Sequence, residues 1–400
     1  MANPILLAVA TVPPWPLSNG YALRVFHLLQ ELAAQWRIVL IAPAAALPTA
    51  LRDMLSDYVP VSFAGRWGSL PSQFDTRPFQ QAAEWVLETW KPLAALLWQG
   101  AEFLGFAREF PPTVADRIDC FTLGAWRDRH HAATRRDWFS ALSSVRAYAS
   151  YERRLVRALY ATVVVGEDDA RVLRRLTGRN TIHMIPNGVA APPDVMGDEG
   201  TVPTVVFTGV LDYPPNVHAA RHFAEIVWPG IRAAVPHARF VIAGRRPLPE
   251  VLALAQQAGI EVRADVPDMF GVLNEAWVAV APMICGSGIK NKVLEAWAAG
   301  RPVAMTTLAT NGLALPPDTQ ELVADDSRTL EALIVDLLTH PERRRRLGSA
   351  LREHVLRRHR WGHAAASFST LLRAACGATS QPRPVSSLPA APETAKRLPT

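Results

Sequence analysis

Short runs of aliphatic and β-branched residues alternate along this chain with longer amphipathic segments. Such alternation is typical of βαβ units, in which helices join the strands of a parallel sheet. In the first half it predicts strands over residues 5–10, 37–42, 94–98, 113–116 and 161–165. It also predicts helices over 22–35 and 168–176, with one helix or a helix pair over 126–160. Residues 60–80 carry Pro and Gly and are expected to be irregular.

The alternation breaks at Ile185-Pro-Asn-Gly-Val189 and at the Pro- and Gly-containing residues 190–202, and then restarts. Such a break marks a domain boundary. Further strands are predicted over 204–208, 239–243, 261–263, 277–281 and 302–306. Further helices are predicted over 218–234, 249–258, 268–276, 291–299 and 328–338, and the last helices run from 341 to about 375. We therefore expect an α/β protein of two facing Rossmann-like domains with parallel sheets and a cleft between them.

The predicted domains span residues 1–187 and 188–360. Residues 361–376 form a last helix that we expect to pack back on the N-terminal domain. Residues 377–400 are rich in Pro, Ala, Ser and Thr, so we expect them to be disordered.

Composition narrows the classes of partner. Apolar residues make up 49% of the chain and charged residues 20%, which is enough apolar material for sizeable cores. The net charge of +6 is scattered, and no Lys/Arg run is long enough to form a nucleic-acid-binding arm. A basic surface favours anionic partners such as sugar nucleotides, phospholipid head groups or polyprenyl phosphates. We expect no nucleic-acid partner.

The three cysteines bear on the compartment. Cys120, Cys285 and Cys376 lie far apart and form neither a disulfide framework nor a zinc pattern, which predicts a reducing cytoplasm. The apolar start lacks the positive charge that precedes a secretory signal. No stretch reaches the roughly 20 apolar residues that a membrane-spanning helix needs. Any membrane contact is therefore expected to be peripheral, at the inner face of the membrane.

Residues 281–303 carry the most informative chemistry. A predicted strand ends in a Gly-rich turn, and a helix follows it. Such a turn offers unpaired backbone N–H groups at the positive end of a helix, where a pyrophosphate is favoured. The residues that we expect to bind there are Gly286, Ser287, Gly288, Ile289, Lys290, Lys292 and Glu295. The lysines supply positive charge for the diphosphate, and the glutamate can accept hydrogen bonds from two adjacent ribose hydroxyls. The alternative is a Gly-capped helix start with exposed lysines.

The run from Gly286 to Ala296, followed by Ala-Ala-Gly-Arg-Pro-Val303, resembles the donor-site signature of the retaining family 4 glycosyltransferases. Phe207-Thr-Gly-Val-Leu-Asp-Tyr-Pro-Pro-Asn216 is similar to the loop that opens that family's C-terminal domain, which adds Gly209 and Asn216 to the expected donor site. Phe240-Val-Ile-Ala-Gly244 resembles the strand and glycine that come next in the family.

Other segments extend the resemblance over about residues 5–365. Ile185-Pro-Asn-Gly-Val189 resembles the family's interdomain connector. Pro13-Pro-Trp-Pro16 with Gly20 and Arg24, and Tyr151-Glu-Arg-Arg154, resemble a subgroup of sugar transferases found in exopolysaccharide gene clusters.

The resemblance implies a GT-B fold, in which the second domain binds the nucleotide-sugar donor and the first faces the acceptor. It implies transfer from a UDP- or GDP-linked sugar to a glycan or polyprenyl-linked acceptor, with retention of configuration. It also implies that no metal or other cofactor is needed, and the sequence has no Asp-x-Asp motif.

Two positions depart from the family's pattern. The family holds the donor ribose with the second of two glutamates eight positions apart; this residue is Glu295, but the first position is Ser287. The family also places an Arg and a Lys after the first strand of this domain. Here residues 210–218 contain neither, and the first basic side chain is Arg221. We expect Lys290 and Lys292 to supply the missing positive charge.

In the N-terminal half, Asp116 and Asp119 end a predicted strand and are expected to face the cleft, where one of them orients the acceptor or the donor sugar. The alternative is a helix cap or a surface carboxylate. Gly20 either lets the backbone approach the diphosphate or is an ordinary turn glycine. The arginine-rich residues 127–157 either dock on anionic lipid or form a solvated helix face.

Three classes of function stay open at this point. The leading hypothesis is a glycosyltransferase. Ser287 and the missing basic pair keep open a catalytically silent module that binds a nucleotide sugar or a partner enzyme. Another GT-B enzyme, such as a sugar-nucleotide epimerase, would give product without an acceptor. An NAD-dependent oxidoreductase is disfavoured because no G-x-G-x-x-G follows the first strand of either half.

Overall fold

The computed structural model describes residues 3–17, 19–63, 75–106, 110–129, 134–190, 199–286 and 288–377. The chain divides into two compact units. The first comprises Met1–Pro186 and Trp361–Thr400, and the second comprises Asn187–Arg360. Several sequence predictions fall wholly or partly outside the described residues: those for Ser287 and for the tail beyond residue 377, and parts of those for the irregular residues 60–80, the helical region 126–160 and the break at 190–202.

The first unit is built on a parallel sheet of seven strands. These are β1 (Ile5–Val9), β2 (Arg37–Pro43), β3 (Asp57–Val61), β4 (Ala94–Trp98), β5 (Thr113–Ile118), β6 (Ala161–Val164) and β7 (Ile182–Met184). They are joined by α1 (Gly20–Leu32), α2 (Thr49–Met54), α3 (Arg77–Trp90), α4 (Phe121–Asp128), α5 (Arg135–Ala158) and α6 (Glu167–Thr177). The spatial order is β3-β2-β1-β4-β5-β6-β7. It reverses between β1 and β4, the position at which open α/β sheets tend to bind ligands.

The second unit contains a parallel sheet of five strands. These are β8 (Thr204–Val210), β9 (Arg239–Arg245), β10 (Ile260–Ala264), β11 (Val278–Ala281) and β12 (Val303–Met305). The helices are α7 (Pro214–His222), α8 (Trp228–Ala234), α9 (Pro249–Leu252), α10 (Met269–Glu275), α11 (Asn291–Ala298), α12 (Ser327–Thr339) and α13 (Pro341–Arg358). The order β10-β9-β8-β11-β12 reverses between β8 and β11.

The apolar runs that predicted strands are buried on both faces, as parallel strands covered by helices are. Leu6 to Ala10 and Ile38 to Ala42 are fully buried in the first sheet. Phe207, Phe240 and Val278 are fully buried in the second. The hydrophobic periodicity of α1 likewise places Val25, Leu28, Leu29 and Leu32 against the sheet, where all four are fully buried.

The last helix of the described chain, α14 (Trp361–Gly377), belongs to the first unit. It packs against α1. The Nε1 of Trp36 donates a hydrogen bond to Ser369 Oγ at 3.0 Å, and the ring of His27 stacks on Trp361 with the centroids 5.1 Å apart. The polypeptide therefore returns to its first unit after completing the second.

The predicted strands are all present within a few residues, but two further strands were not predicted. β3 and β7 lie at the two edges of the first sheet. Both are half-exposed and short, and β3 contains Pro60, which is tolerated at an edge because no partner strand needs its N–H there. Residues 60–80 are therefore not irregular throughout: β3 ends within them and α3 begins within them.

One long predicted helix is interrupted. The helix predicted over 218–234 is α7 and α8 separated by a π-helical segment, Phe223–Val227. Periodicity alone misses such a break because the apolar spacing continues through it. The helices predicted over 341–375 are α13 and α14, which lie in different units. Among the described residues, no helix is both long and apolar enough to cross a membrane.

Candidate functional site

The turn between β11 and α11 is shaped by two glycines. Gly286 has φ 98° and Gly288 has φ 70°, values that an L-residue with a side chain rarely adopts. A Cβ on Gly286 would lie 3.2 Å from the ring of Pro215. The turn therefore needs glycine for its conformation, and it brings the backbone to the first turn of α11.

Lys292 turns from the start of α11 towards the carboxyl end of β8. Its Nζ donates a hydrogen bond to Asn216 Oδ1 at 2.7 Å and lies 3.8 Å from the ring centroid of Phe207. Asn216 in turn donates from Nδ2 to the carbonyl of Val210 at 2.9 Å. An amide oxygen from the first turn of α7 and an aromatic face from β8 thus hold the ammonium.

Gly209 provides the space for this arrangement. A Cβ at this position would lie 2.8 Å from Asn216 Nδ2 and 3.1 Å from Lys292 Nζ. Its backbone carbonyl also approaches Gly244 so closely that a Cβ on Gly244 would overlap it. Glycine at position 209 therefore leaves room for Asn216 and Lys292 at the end of β8, and glycine at position 244 allows the close approach of β9 to β8.

The electrostatics of this corner favour an anion. Burial lowers the pKa of Lys292 well below the ordinary lysine value, and the positive charge of Lys290 lowers it further, while Glu295 opposes both effects. Lys290 is itself 8% exposed, with its Nζ donating to the carbonyl of Gly288 at 2.9 Å. Two ammonium groups in a partly desolvated corner gain most from a negative partner.

Glu295 lies one turn beyond Lys292 on α11 and is half-buried. Burial raises its pKa above the ordinary glutamate value, and the charge of Lys292 opposes that rise. Ile289, the other expected contact in the turn, packs against the hydrophobic core of the second unit. Its side chain therefore anchors the turn, and only its backbone is available to a ligand.

The second unit thus brings together Gly209, Asn216, Lys290, Lys292 and Glu295, which are spread over more than eighty positions of the sequence. They meet at the carboxyl ends of β8 and β11, where the strand order reverses. The arrangement can bind a diphosphate through the lysines and the helix-end amides, and hydroxyl groups through the glutamate.

Arg221 is the first basic side chain after residues 210–218, where the expected Arg and Lys are absent, but it does not replace them at the end of β8. Arg221 forms ion pairs with Glu225 at 3.5 Å and Glu250 at 2.9 Å on an exposed helix surface. Among the described residues, no cluster of three His, Cys, Asp or Glu side chains is arranged to hold a metal ion.

In the first unit, Asp116 does not present a carboxylate at the surface. It is fully buried, and its two oxygens accept hydrogen bonds from Arg24 at 2.7 and 3.1 Å. Arg24 also donates to the carbonyl of Ile185 at 3.0 Å. Asp116, one of the two carboxylates expected to orient the acceptor or the donor sugar, is therefore enclosed and neutralised by Arg24 inside the first unit.

Asp119 is half-buried and follows a distorted strand end. Ile118 has φ 62°, which is unusual for a β-branched residue, and the register between β5 and β6 shifts between Asp116 and Ile118. Strain of this kind concentrates at functional sites. Gly20 is the exposed first residue of α1, whose start is capped by Asn19 accepting from the N–H of Ala22 at 2.9 Å.

A buried ionic network that was not predicted from the sequence lies beside this strand end. Arg117 contacts Glu102 at 2.9 Å and Glu152 at 2.8 Å. Glu152 also accepts from the N–H groups of Phe121 and Thr122, and so caps α4. Glu152 lies in the Tyr151-Glu-Arg-Arg154 motif, which was the only signal of the network in the sequence.

Comparison with known proteins places Gly209, Asn216, Lys290, Lys292 and Glu295 in a recognised domain. Residues 202–340 match the family model described as Glycosyl transferases group 1. The match covers about a third of the chain and includes all five of these residues. No curated protein sequence matches the chain.

Three solved structures show the fold. HepE from Anabaena, crystallised with UDP and glucose, has a TM-score of 0.65 and 12% identity over 92% of this chain and 99% of its own. WaaG, a glycosyltransferase of lipopolysaccharide biosynthesis, has a TM-score of 0.64 and 11% identity over the same shares. A glycosyltransferase from Rickettsia africae has a TM-score of 0.69 and 9% identity over 94% of this chain and 99% of its own.

The fold is GT-B. At such low identities the structural likeness establishes the architecture, whereas the family match over the second unit supports sugar transfer as the chemistry. The expected fold class is confirmed.

Proposed function

We propose that this chain is a retaining glycosyltransferase that transfers a sugar from a UDP- or GDP-sugar to a glycan or polyprenyl-linked acceptor. The single observation that carries the proposal is the corner formed by Lys292, Asn216 and Gly209. There the ammonium of Lys292 is bonded to the amide oxygen of Asn216 and faces the ring of Phe207, beside Gly209 and at the reversal point of a parallel sheet. The match of residues 202–340 to a sugar-transferase family and the UDP-bound neighbour support a nucleotide-sugar donor.

Breaking the bond between sugar and phosphate builds negative charge on the departing diphosphate. Lys290, Lys292 and the first amides of α11 stabilise that charge, and they do so strongly because the corner is partly shielded from water. Glu295 accepts hydrogen bonds from the ribose hydroxyls of the donor. We propose that these groups are sufficient without a bound metal or other cofactor.

The acceptor side of the proposal rests on the first unit. Because Asp116 is neutralised by Arg24, Asp119 is the carboxylate that we propose for orienting a substrate hydroxyl. Same-face attack with the leaving phosphate taking the acceptor proton would retain the configuration, and holding the reactants in line supplies much of the rate.

We also propose that the enzyme works on the cytoplasmic face of an anionic membrane. On α4 and α5, Trp126, Trp138 and Phe139 are 46%, 41% and 64% exposed. The surrounding segment is rich in arginine, and Arg129 lies over the ring of Trp126. Exposed aromatic rings beside arginines suit an interface with anionic lipid head groups.

Vesicle sedimentation tests the membrane part of the proposal. The chain should bind vesicles that contain phosphatidylglycerol more strongly than pure phosphatidylcholine vesicles. A Trp138→Ser, Phe139→Ser variant should lose that preference, whereas Trp85→Ser, which removes an equally exposed ring from α3, should keep it. Equal binding by both variants would rule out this surface.

Thermal unfolding with UDP, GDP, ADP, dTDP or buffer tests the donor site. A ligand at about 100 times its dissociation constant stabilises a protein by roughly 2.7 kcal/mol, which is visible as a shift of the midpoint. One nucleotide should shift wild type but not Glu295→Ala, and its sugar conjugates are then assayed for transfer. Nucleotide binding without sugar transfer or hydrolysis would favour a catalytically silent binding module. Product formed without an acceptor would favour an epimerase. No shift of the unfolding midpoint with any nucleotide would reject the proposed donor site.

A further inference from the structure

The chain enters and leaves the second unit through two short segments that are bonded to each other. The entry includes Asn187 and Val189, and the exit includes His359 and Arg360. The N–H of Val189 donates to the carbonyl of His359 at 2.8 Å, and Val189 forms a parallel bridge with Arg360. The backbone of the connector motif Ile185-Pro-Asn-Gly-Val189 is therefore fixed to the end of α13.

His359 adds a side-chain bond to this junction. Its Nδ1 lies 3.2 Å from the carbonyl of Asn187, and because a carbonyl only accepts, Nδ1 carries the proton. The ring is 3% exposed, and burial lowers its pKa below the ordinary histidine value. Burial therefore favours the neutral ring, in which Nδ1 donates to Asn187.

The side chain of Asn187 faces the start of α11, beside the lysines of the proposed donor site. It is 4% exposed, and its Nδ2 donates to Asn291 Oδ1 at 2.7 Å. Asn291 is the first residue of α11, between Lys290 and Lys292 in the sequence, and Lys290 gives this helix no side-chain cap. The start of the helix is thus held by a residue 104 positions earlier in the chain.

The far end of α11 is held by α13. Arg352 donates from Nη1 to the carbonyl of Ala298, and Gly348 packs so closely on Gly300 that a Cβ there would lie 2.1 Å from the carbonyl. Contacts at the far end limit sliding of the helix but leave its first turn to be set separately. The side-chain hydrogen bond from Asn187 to Asn291 links the connector to the first turn of α11.

We infer that Asn187 is a positioning residue of the donor site. Its amide, held through the backbone by His359, fixes Asn291 and so aims the first amides of α11 and the flanking lysines at the diphosphate. The inference rests on the proposed function for its ligand. It gives the connector motif Ile185-Pro-Asn-Gly-Val189 a role in positioning the proposed donor site.

A double-mutant cycle on nucleotide affinity is the first test. Calorimetry with UDP, or with GDP if that is the nucleotide bound, should show about tenfold weaker binding for Asn187→Ala and for Asn291→Ala. The double variant should be no weaker than either single variant, because one bond is removed in all three. Unchanged affinity in Asn187→Ala, or additive losses in the double variant, would overturn the inference.

Hydrogen exchange of the ligand-free protein is the second test, and it does not depend on the proposed function. Amides 293–299 of α11 should exchange about tenfold faster in Asn187→Ala than in wild type, while those of α12 stay unchanged. Thr319→Ala is the matched control, because it removes a buried side-chain hydrogen bond from the same unit, to the carbonyl of Pro316, away from α11. It should leave exchange in α11 and nucleotide affinity unchanged.

The two tests separate the two ways of failing. If wild type binds no nucleoside diphosphate, the proposed function fails, and the exchange rates still decide whether Asn187 holds α11. If wild type binds a nucleotide but Asn187→Ala alters exchange in α11 and α12 alike, the residue is a general stabiliser and the positioning role is overturned.

Discussion

Buried charges at the carboxyl edges of the two parallel sheets differ in whether they are paired with an opposite charge. In the first unit Arg24 faces Asp116, and Arg117 lies between two glutamates. In the second unit Lys292 meets an amide oxygen and an aromatic ring, and it makes no ion pair within the described part of the chain. The first edge is neutralised by its own residues, whereas the second keeps positive charge available to an external anion.

The difference separates residues that hold the fold from residues that serve a ligand. Removing one member of a neutralised buried pair strands its partner, so the cost appears in folding. Removing a partly desolvated ammonium that makes no ion pair among the described residues relieves the folded state of the cost of burying that charge, so the loss appears in binding. The predictions below test this contrast, from the largest expected effect to the smallest.

The largest effect is expected in the first unit. Asp116→Ala leaves Arg24 charged and buried, and should lower the free energy of unfolding by about 3–5 kcal/mol. The double variant Arg24→Met, Asp116→Leu should lose much less, because no buried charge is left unpaired. Urea unfolding measures both. Asp75→Ala, which removes the exposed partner of Arg77, is the control and should have no measurable effect. If Asp116→Ala and Asp75→Ala lowered the free energy of unfolding by the same amount, the Arg24–Asp116 pair would not be a residue pair that holds the fold.

In the second unit, Lys292→Met should weaken UDP or GDP binding by roughly 10- to 100-fold, the loss of one charge-assisted contact. The free energy of unfolding should stay the same or rise, because the lowered pKa of this lysine means that its charge opposes folding. Calorimetry and urea unfolding measure the two quantities. Lys91→Met, at an exposed position of the first unit, should change neither. A large loss of stability in Lys292→Met would place the lysine with the fold-holding residues.

Gly209→Ala should weaken nucleotide binding by about tenfold. The added methyl group would lie against Asn216 Nδ2 and Lys292 Nζ and displace both from the corner. Gly362→Ala in α14 is the control, because its nearest contact would be an ordinary 3.4 Å to Glu31. Equal affinity of the two glycine variants, measured by calorimetry, would show that the corner does not depend on this close approach.

The smallest effect is expected in the pH dependence of binding. The ammonium of Lys292 attracts the diphosphate, and its pKa is lowered, so it loses its charge at a lower pH than an ordinary lysine. Affinity should therefore fall a few-fold as the pH rises through that lowered pKa, below the ordinary value of about 10.4. Lys292→Arg keeps its charge and should flatten the profile. A profile that is the same in wild type and Lys292→Arg would assign the titration to another group.

Much of the architecture was predictable because burial on both faces leaves a direct trace in the sequence. The runs at 5–10 and 37–42 are strands, and 204–208 and 277–281 belong to β8 and β11, because parallel strands need apolar residues on both faces. The edge strands β3 and β7 lack that trace, since one side of each is not covered by a neighbouring strand. The π-helical break between α7 and α8 was hidden because the apolar spacing continues through it.

The candidate site divides in a similar way. Gly286 and Gly288 could be recognised from the sequence because their conformation restricts the choice of residue, and Lys290, Lys292 and Glu295 because they follow in one helix start. The contact of Lys292 with Asn216 could not be recognised, since it joins the first turns of two helices at positions 76 residues apart. Neither could the pairing of Asp116 with Arg24, because a carboxylate after a strand looks the same whether it faces solvent or a buried arginine.

The sequence by itself determined the two α/β units, the Gly-rich turn and the charged helix that follows it. These features depend on local periodicity, backbone conformation and residues close together in the chain. Only the tertiary structure decided which charges are neutralised and which stay available: Asp116 is paired inside its unit, Lys292 is held by neutral partners, and Asn187 is bonded to the start of α11. Those outcomes depend on side chains brought together from distant parts of the chain, whose partners follow from packing and burial.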